Sequence, residues 1–297
     1  MQGLLLIDKG KGITSFGAVA KIKKITGEKR VGHTGTLDPM ATGVLPIFIG
    51  RATTLSSFLL EADKRYTATF RFGIETDTDD ITGEVLSEKA VNITGEEISL
   101  ALKHFTGEIE QLPPIYSALK KDGVPAYKLA RSGQEVKREP RRVTINSIEV
   151  LKGFDGKEIT VDVSCSKGTY IRALCRDIGE HLGCGATLSA LRRTYTSGFS
   201  IDETVPLDKL NSENISSYII SEERAVENLR SVDVTLRQAV RFSNGGQLDL
   251  ERIRDDFNTN GELVRVKYSD KLVGIGVVDT EKNHIAIKCL VNMIKEK

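Results

Sequence analysis

Residues 32–43 read Gly-His-Thr-Gly-Thr-Leu-Asp-Pro-Met-Ala-Thr-Gly, a loop rich in glycine and small hydroxyl residues. An apolar run at residues 44–49 follows the loop at once. Pro39 fixes its own φ and disfavours the helical region for Asp38, so the loop can hold this carboxylate in one direction. Asp38 is therefore either the aspartate of an Asx turn or a functional carboxylate. A phosphate-binding loop is excluded, because the sequence has no Gly-Lys-Ser/Thr triplet.

Periodicity on both sides of this loop predicts mixed helices and strands. Residues 4–7 form an apolar run typical of a buried strand. Thr14 or Ser15 can cap a helix that ends at Gly27. Polar and apolar residues alternate over 66–74, which predicts a half-buried strand, and the runs 144–151 and 158–165 predict a hairpin.

The C-terminal part of the chain differs in pattern. Acidic residues dominate 202–227, with Glu222, Glu223 and Glu227 expected on a surface helix, and short β-rich runs follow at 263–267, 272–278 and 285–289. We therefore predict an α+β protein with two domains. A large mixed or antiparallel sheet flanked by helices spans residues 1–229, and a small β-barrel-like domain spans residues 230–297.

Overall charge gives no sign of a nucleic-acid partner, because 42 Lys and Arg residues balance 41 Asp and Glu residues in the 297-residue chain. The local charge does indicate such a partner. Residues 113–142 contain eight cations and three acidic residues, and we expect this segment to protrude. The four cysteines are too widely spaced for a zinc site. No signal peptide or membrane-spanning segment is recognised, so we expect a cytoplasmic protein with reduced thiols and no membrane association.

Three further segments carry candidate functional residues. Residues 167–172, Lys-Gly-Thr-Tyr-Ile-Arg, open a predicted helix at 173–181 that Thr169 can cap. Tyr170 and Arg172 could there meet a flat ligand and a carboxylate, or be a core tyrosine and a solvated cation. The acidic run at 76–80 begins like a calcium loop, but Gly83 and Glu84 fall at the wrong offsets. His33 has no matching nucleophile, which favours a positioning role over that of a general base.

Several motifs, in order along the chain, resemble one known family. They are GHTGTLDPMATG at 32–43, KRY at 64–66, Gly73 with TDTD at 76–79, PIYSALK at 114–120, SKGTYIR at 166–172 and LRR at 191–193. Together they resemble the TruB family of tRNA pseudouridine-55 synthases, through about residue 200. The remainder is similar to the PUA-like domain that ends bacterial members. Thr36 departs from the pattern, since some members carry alanine there.

This resemblance implies a pseudouridine synthase fold and a cofactor-free, metal-free enzyme that isomerises uridine 55 in the T arm (TΨC loop) of tRNA. Asp38 matches the catalytic nucleophile and Tyr66 the residue that stacks on the flipped base. The other residues expected at the substrate site are His33, Tyr170, Arg172 and Leu191. The cations expected on the RNA backbone are Lys64, Lys120, Lys121, Arg141 and Arg142. We expect a monomer with no obligatory protein partner.

Two other functions stay open at this point. The chain could be an RNA-binding protein or chaperone with a silent site, although binding alone needs no carboxylate facing an anionic ligand. It could also be a guide-dependent relative acting on another RNA; the lack of long basic extensions favours the stand-alone tRNA enzyme. Asp38 could attack C1′ or C6 or remove the C2′ proton, and the sequence does not choose among these steps.

Overall fold

The computed structural model describes residues 1–59, 62–115, 120–121, 124–125, 138–253 and 255–295, with backbone only at 120–121 and 124–125. These residues contain four α-helices, α1 (Ser15–Thr26), α2 (Gly95–His104), α3 (Ile171–His181) and α4 (Leu236–Ser243). Their strands are β1 (Gly3–Lys9), β2 (Val31–His33), β3 (Thr42–Ile49), β4 (Lys64–Phe72), β5 (Ile74–Thr76), β6 (Val85–Glu88), β7 (Gly107–Gln111), β8 (Lys120–Lys121), β9 (Val124–Pro125), β10 (Arg141–Lys152), β11 (Glu158–Cys165), β12 (Ala186–Thr196), β13 (Phe199–Ser200), β14 (Val205–Pro206), β15 (Ile219–Ile220), β16 (Arg230–Asp233), β17 (Leu248–Asp249), β18 (Leu263–Tyr268), β19 (Lys271–Asp279) and β20 (His284–Leu290).

Within the described residues, eleven strands form one large mixed sheet. Its main order is β14-β1-β3-β12-β4-β11-β10-β7, with β2, β13 and β15 attached at the side. Strand β12 lies near the centre, parallel to β3 and antiparallel to β4. A second sheet has the order β16-β18-β19-β20-β17. The predicted α+β fold, a large mixed sheet flanked by helices followed by a smaller curled sheet, is thereby confirmed.

Strand β1 shows how the large sheet is buried on both faces. Leu5 and Ile7 point into the cluster shared with helices α1, α2 and α3. Leu4 and Leu6 point to the opposite face, into a cluster that also contains Leu272 of the C-terminal sheet. Because alternate side chains of a strand face opposite sides, one short apolar run joins both layers. The helices therefore cover one face of the large sheet, and the C-terminal sheet packs against the other.

Local signals set the ends of α1 as the sequence predicts. The Thr14 side chain accepts a hydrogen bond from the Gly17 amide, and Gly27 ends the helix with a left-handed φ of 69°. The helix buries Ala18, Val19 and Ile22 in the core. The signals at both ends and the buried side chains therefore fix the position of α1 next to the loop at residues 32–43.

Two local predictions are wrong. Thr169 does not cap α3; its hydroxyl donates to the Ser166 carbonyl at 2.9 Å, and Tyr170 occupies the cap position without a side-chain cap bond. Glu223 lies in a short 3-10 helix rather than on a solvated surface helix, and it forms ion pairs with Arg265 and Lys267 at 2.6 and 2.9 Å. A local turn contact displaces the Thr169 cap, whereas tertiary ion pairs hold Glu223. No helix in the described part of the chain combines the length and apolar character needed to cross a membrane.

Candidate active site

The loop between β2 and β3 is held by the segment that precedes α1. The Ser15 hydroxyl accepts from the Leu37 amide at 2.9 Å and donates to the Leu37 carbonyl at 3.1 Å. The Gly12 amide donates to the Pro39 carbonyl at 2.8 Å. Asp38, between these two attachments, keeps a partly open side chain that is 37% exposed. The carboxylate is therefore directed by its neighbours and still accessible.

Arg172, in the first turn of α3, joins Asp38 to a second carboxylate. Its Nε lies 2.9 Å from Asp38 Oδ2, and its Nη1 lies 3.6 Å from Asp80 Oδ2. The same Nη1 donates to the Thr78 carbonyl at 2.7 Å. Asp80 accepts in turn from the Thr82 amide at 2.9 Å. Since Arg172 and Asp80 are both 6% exposed, this pair is a fixed buried support for the exposed Asp38.

Partial desolvation raises the pKa of Asp38 from its usual value, because loss of solvent around this partly exposed carboxylate outweighs the opposing guanidinium of Arg172. The nearby Asp80 carboxylate raises that pKa further, and Lys9 lowers it. A carboxylate with a raised pKa is a stronger base and nucleophile once ionised. Arg172 counteracts the raised pKa and fixes the direction of the carboxylate.

Lys9 is a buried cation that the sequence reasoning did not single out. Its ammonium donates to the carbonyls of Gly10 and Ile13 at 3.0 and 2.8 Å. Burial lowers its pKa to about 8, with Asp38 acting in the opposite direction. Lys9 thus closes the turn that holds Pro39, directly behind the candidate carboxylate. Its position just after an apolar strand was the available signal.

Arg193 is a second site residue that the sequence alone did not identify, although it belongs to the LRR motif at 191–193. It is fully buried, and it donates to the Val44 carbonyl at 2.8 and 2.6 Å and to the Gly35 carbonyl at 2.7 Å. It also hydrogen-bonds the Tyr66 hydroxyl. Gly35 and Gly43 have positive φ, and a Cβ on Gly43 would lie 2.1 Å from the Arg193 carbonyl oxygen. Glycine therefore lets this loop approach β12 closely.

Tyr66 and Arg193 lie next to each other among the residues that line the site. Tyr66 is 7% exposed, and burial raises the pKa of its phenol, an effect that Arg193 partly opposes. Burial also lowers the pKa of Arg193. A buried cation on a phenol keeps the aromatic ring in one orientation and places positive charge behind it.

A cavity of about 260 Å³ opens onto this arrangement. Among the residues that line it are most of the predicted substrate-site residues, namely Asp38, Tyr66, Tyr170, Arg172 and Leu191, together with Lys64 and Arg193. This volume is large enough to admit a single planar ring. A larger open groove of about 690 Å³ adjoins it and shares Lys64.

Tyr170 is positioned through its backbone. The Gln111 side chain accepts from the Tyr170 amide at 2.8 Å and donates to the Tyr170 carbonyl at 3.1 Å. Gln111 is itself buried at the end of β7. This paired contact fixes the start of α3, and so fixes Arg172 two residues later.

His33 lies at the end of β2 and is not among the residues that line the cavity. Burial and the nearby Arg193 lower the pKa of its imidazole. The ring Nδ1 is buried and has no hydrogen-bond partner among the residues that the structure describes. His33 therefore lies at the start of the loop that carries Asp38, outside the lining of the cavity.

Of the predicted RNA-backbone cations, Lys64 lines the cavity. Lys64 donates to the Ala62 carbonyl at 3.0 Å, and burial lowers its pKa. Arg141 and Arg142 are exposed at the start of β10, with Arg142 3.8 Å from Glu110. The side chains of Lys120 and Lys121, and most of the basic segment at 113–142, lie outside the described residues.

The acidic loop at residues 77–80 is bound by protein groups. Asp77 accepts from the Glu84 amide at 2.8 Å, Asp79 pairs with Arg176 at 2.9 Å, and Asp80 pairs with Arg172. Burial raises the pKa of Asp79 despite Arg176. These carboxylates therefore support α3 from one side.

Family models and known proteins match nearly the whole chain. The TruB family pseudouridylate synthase N-terminal domain matches residues 23–171, and the tRNA pseudouridylate synthase B C-terminal domain matches residues 172–239. A protein of Clostridium tetani named tRNA pseudouridine synthase B is 44% identical over 98% of this chain and all of its own length. Its namesake in Alkaliphilus oremlandii is 41% identical over the full length of both chains.

Solved structures show the same architecture. A chain of a Cbf5-Nop10-Gar1 complex superposes with a TM-score of 0.73 at 29% identity, covering 98% of this chain and 85% of the other. A chain of an H/ACA RNP bound to a substrate RNA containing 2′-deoxyuridine gives 0.72 at 27% identity, with the same coverage. The mixed sheet, its helices and the curled C-terminal sheet therefore form a fold of the Cbf5 type.

Proposed function

The chain belongs to the TruB family of pseudouridine synthases, and we propose that it converts uridine 55 in the T arm of tRNA to pseudouridine with Asp38 as its catalytic carboxylate. It is an isomerase of the tRNA pseudouridine synthase B type. The observation that carries the assignment is the cavity in which a buried Arg172 holds Asp38 beside Tyr66 and Tyr170.

The reaction rearranges bonds without changing composition. The N1–C1′ bond breaks, the uracil turns within the cavity, and C5 bonds to C1′. The proton on C5 is lost and N1 gains one, so no oxidant or second substrate enters the balance. Asp38 can attack C1′ or C6, or remove the C2′ proton. In each case the ionised carboxylate is the reactive form, and Arg172 favours that form.

The uridine must leave its stack to reach Asp38, at a cost of a few kcal/mol. Contact with the ring of Tyr66 in the cavity would offset about 1 to 3 kcal/mol of that cost. Leu191 closes the same cavity from β12 and excludes water from the separated base and sugar. The detached uracil can therefore turn without leaving only if the cavity fits it closely.

Affinity for RNA would come from outside the cavity. The basic segment at 113–142, with Lys120, Lys121, Arg141 and Arg142, would contact phosphates of the T arm, and Lys64 would contact them at the rim. Residues 230–297, which we predict to form a PUA-like domain, would extend the RNA contact. Family relatives over the whole length are named tRNA pseudouridine synthase B, which supports tRNA as the substrate.

The test is pseudouridine mapping on a tRNA transcript treated with the purified protein alone. We expect one pseudouridine, at position 55, and none in a transcript carrying cytidine there. Asp38→Asn should abolish the product while keeping tRNA affinity nearly intact, because Arg172 retains Asp80 and the Thr78 carbonyl as partners. Near wild-type turnover of Asp38→Asn, or a product at another position, would contradict the proposal.

A further inference from the structure

Positive charge is concentrated around α1 in a chain whose total charge is almost balanced. Residues 10–30 contain one acidic side chain, Glu28, which is bound by the N-terminal ammonium of Met1. The same residues contain six cations: Lys11, Lys21, Lys23, Lys24, Lys29 and Arg30. We call these six side chains and Phe16 the α1 cationic face.

The cations of this face are not used inside the protein. None of the six forms an ion pair with any residue in the described ranges, and five of them are exposed, with Lys21 half-buried. Some exposed cations elsewhere do find acidic partners, such as Lys152 with Asp155 and Arg224 with Glu203, but no other helix-bearing segment in the described part of the chain gathers six unpaired cations around one acid. Mutual repulsion of unpaired cations opposes folding slightly, so the face is better explained by an external anion than by stability.

Phe16 adds an aromatic ring to this charged surface. It is 74% exposed, more than any other large apolar side chain that the structure describes. The buried side of the helix consists of Ala18, Val19 and Ile22, so the core does not need Phe16. Residues 16, 20, 23 and 24 share one helix face, which places Phe16 and the Lys23–Lys24 pair about 12 Å apart along the axis.

The face lies beside the catalytic loop. Ser15, the residue before Phe16, binds both backbone groups of Leu37, the residue before Asp38. A nucleotide chain that delivers one base to Asp38 must continue past the rim of the cavity. Phe16 follows Ser15 directly in α1 and offers an exposed ring next to this attachment in the sequence.

We propose that the α1 cationic face binds the substrate RNA next to the target uridine. Lys23 and Lys24, on the helix face of Phe16, would contact phosphates of one strand, Lys21 would contact a phosphate from the adjacent side of the helix, and Phe16 would stack on an unpaired base or a ribose. RNA is the occupant that fits best, because it presents closely spaced anions together with flat rings, whereas an acidic protein surface offers no partner for an exposed phenylalanine. This inference rests on the proposed function, since it takes a structured RNA as substrate.

Tryptophan fluorescence can test the stacking contact at position 16, because the chain contains no tryptophan of its own. Phe16→Trp creates a single fluorophore on the face, and Leu151→Trp creates a matched one at a 58% exposed site near the far end of β10. Saturating T-arm RNA should quench the emission of Phe16→Trp at least twofold and leave that of Leu151→Trp almost unchanged. Unquenched Phe16→Trp at saturation would overturn the stacking contact.

The phosphate contacts can be counted from the salt dependence of binding. Replacing Lys21, Lys23 and Lys24 together by glutamine should reduce the slope of log Kd against log salt by about 2 to 3, and weaken binding on the order of tenfold near 0.1 M salt. The control replaces three exposed lysines away from the face, Lys103, Lys152 and Lys157, by glutamine. Single-turnover rates at saturating RNA should match wild type in the control triple variant.

The outcomes separate this inference from the proposed function. If the wild-type protein forms pseudouridine 55 and the α1 triple variant keeps the wild-type slope, the face does not bind RNA and serves another anion, such as an acidic protein. If the slope falls equally in the control variant, the change reflects the total positive charge of the protein rather than the α1 cationic face, and the inference fails. If the wild-type protein forms no pseudouridine but its RNA binding still depends on α1, the proposed function fails and the face stands.

Discussion

The two buried arginines that line the cavity stand in opposite electrostatic settings. Arg172 contacts two carboxylates, Asp38 and Asp80. Arg193 donates to the carbonyls of Val44 and Gly35 and to the Tyr66 hydroxyl, and no carboxylate in the described ranges forms an ion pair with it. One side of the cavity is therefore balanced in charge, and the other keeps a net positive charge behind the aromatic ring.

This difference assigns different roles to the two arginines. Removing Arg172 would leave a buried Asp80 without its cation and release Asp38 from its fixed direction. Removing Arg193 would leave two backbone acceptors and a phenol unsatisfied but no uncompensated acid. We therefore expect Arg172 to act on the chemistry of the sugar, through Asp38, and Arg193 to act on the position of the base, through Tyr66.

Of the two arginines, the larger effect is expected for Arg172→Met, with single-turnover rates lower by about 10²- to 10³-fold. Arg172 lowers the pKa of Asp38, so its loss raises that pKa further. The reactive form is the ionised carboxylate; hence the rate should begin to fall at a higher pH as the solution is acidified. Rates against pH on one tRNA transcript measure this shift.

Arg172→Lys is the matched control, since lysine keeps the charge but cannot reach Asp38 and Asp80 together with a planar fork. Its rate should fall less than that of Arg172→Met, and its acid limb should stay closer to wild type. Three superimposable pH profiles would show that Arg172 does not act on the catalytic carboxylate.

A smaller effect, about tenfold on turnover, is expected for Arg193→Met. If Arg193 acts through the Tyr66 hydroxyl, its replacement should cost much less in a Tyr66→Phe background, and a double-mutant cycle measures that coupling. Equal losses in both backgrounds would place the role of Arg193 in the loop carbonyls alone. Urea unfolding of each variant separates lost turnover from lost stability.

The smallest effect on saturated turnover is expected outside the cavity. Replacing Lys120, Lys121, Arg141 and Arg142 together by glutamine should weaken tRNA binding and flatten its salt dependence, while turnover at saturation changes little. Filter binding across a salt series, beside single-turnover rates, tests both parts. An unchanged slope would show that this segment is not the RNA clamp.

The elements that the sequence predicted well are those with strong local signals. Strand β1, the caps of α1, the β10–β11 hairpin and strands β18 to β20 each follow a clear pattern of apolar residues and turns. Strand β12 was not predicted, although it lies near the centre of the large sheet. Irregular pairing at Leu188/Ala190 and Arg193/Tyr195 interrupts its alternation, and Arg193 occupies a fully buried position.

The candidate site divides in the same way. The motifs identified Asp38, Tyr66, Tyr170, Arg172 and Leu191, which all line one cavity. They did not identify Lys9, Asp80 or Arg193 as parts of the site. A lysine after a strand, an acid in a loop and an arginine in a strand have no local pattern that predicts burial beside one carboxylate.

By itself, the sequence determined the family, the order of most elements and the direction of the loop around Asp38, because local propensity, Pro39 and the motifs act over a few neighbouring residues. Only the tertiary structure decided which charges meet. Pairing of β12 with β3 and β4, and packing of α3 against β12, bring Arg172 and Arg193 to opposite sides of one cavity. Such pairing depends on burial across distant segments, and the charge of a side chain there is set by what surrounds it in space.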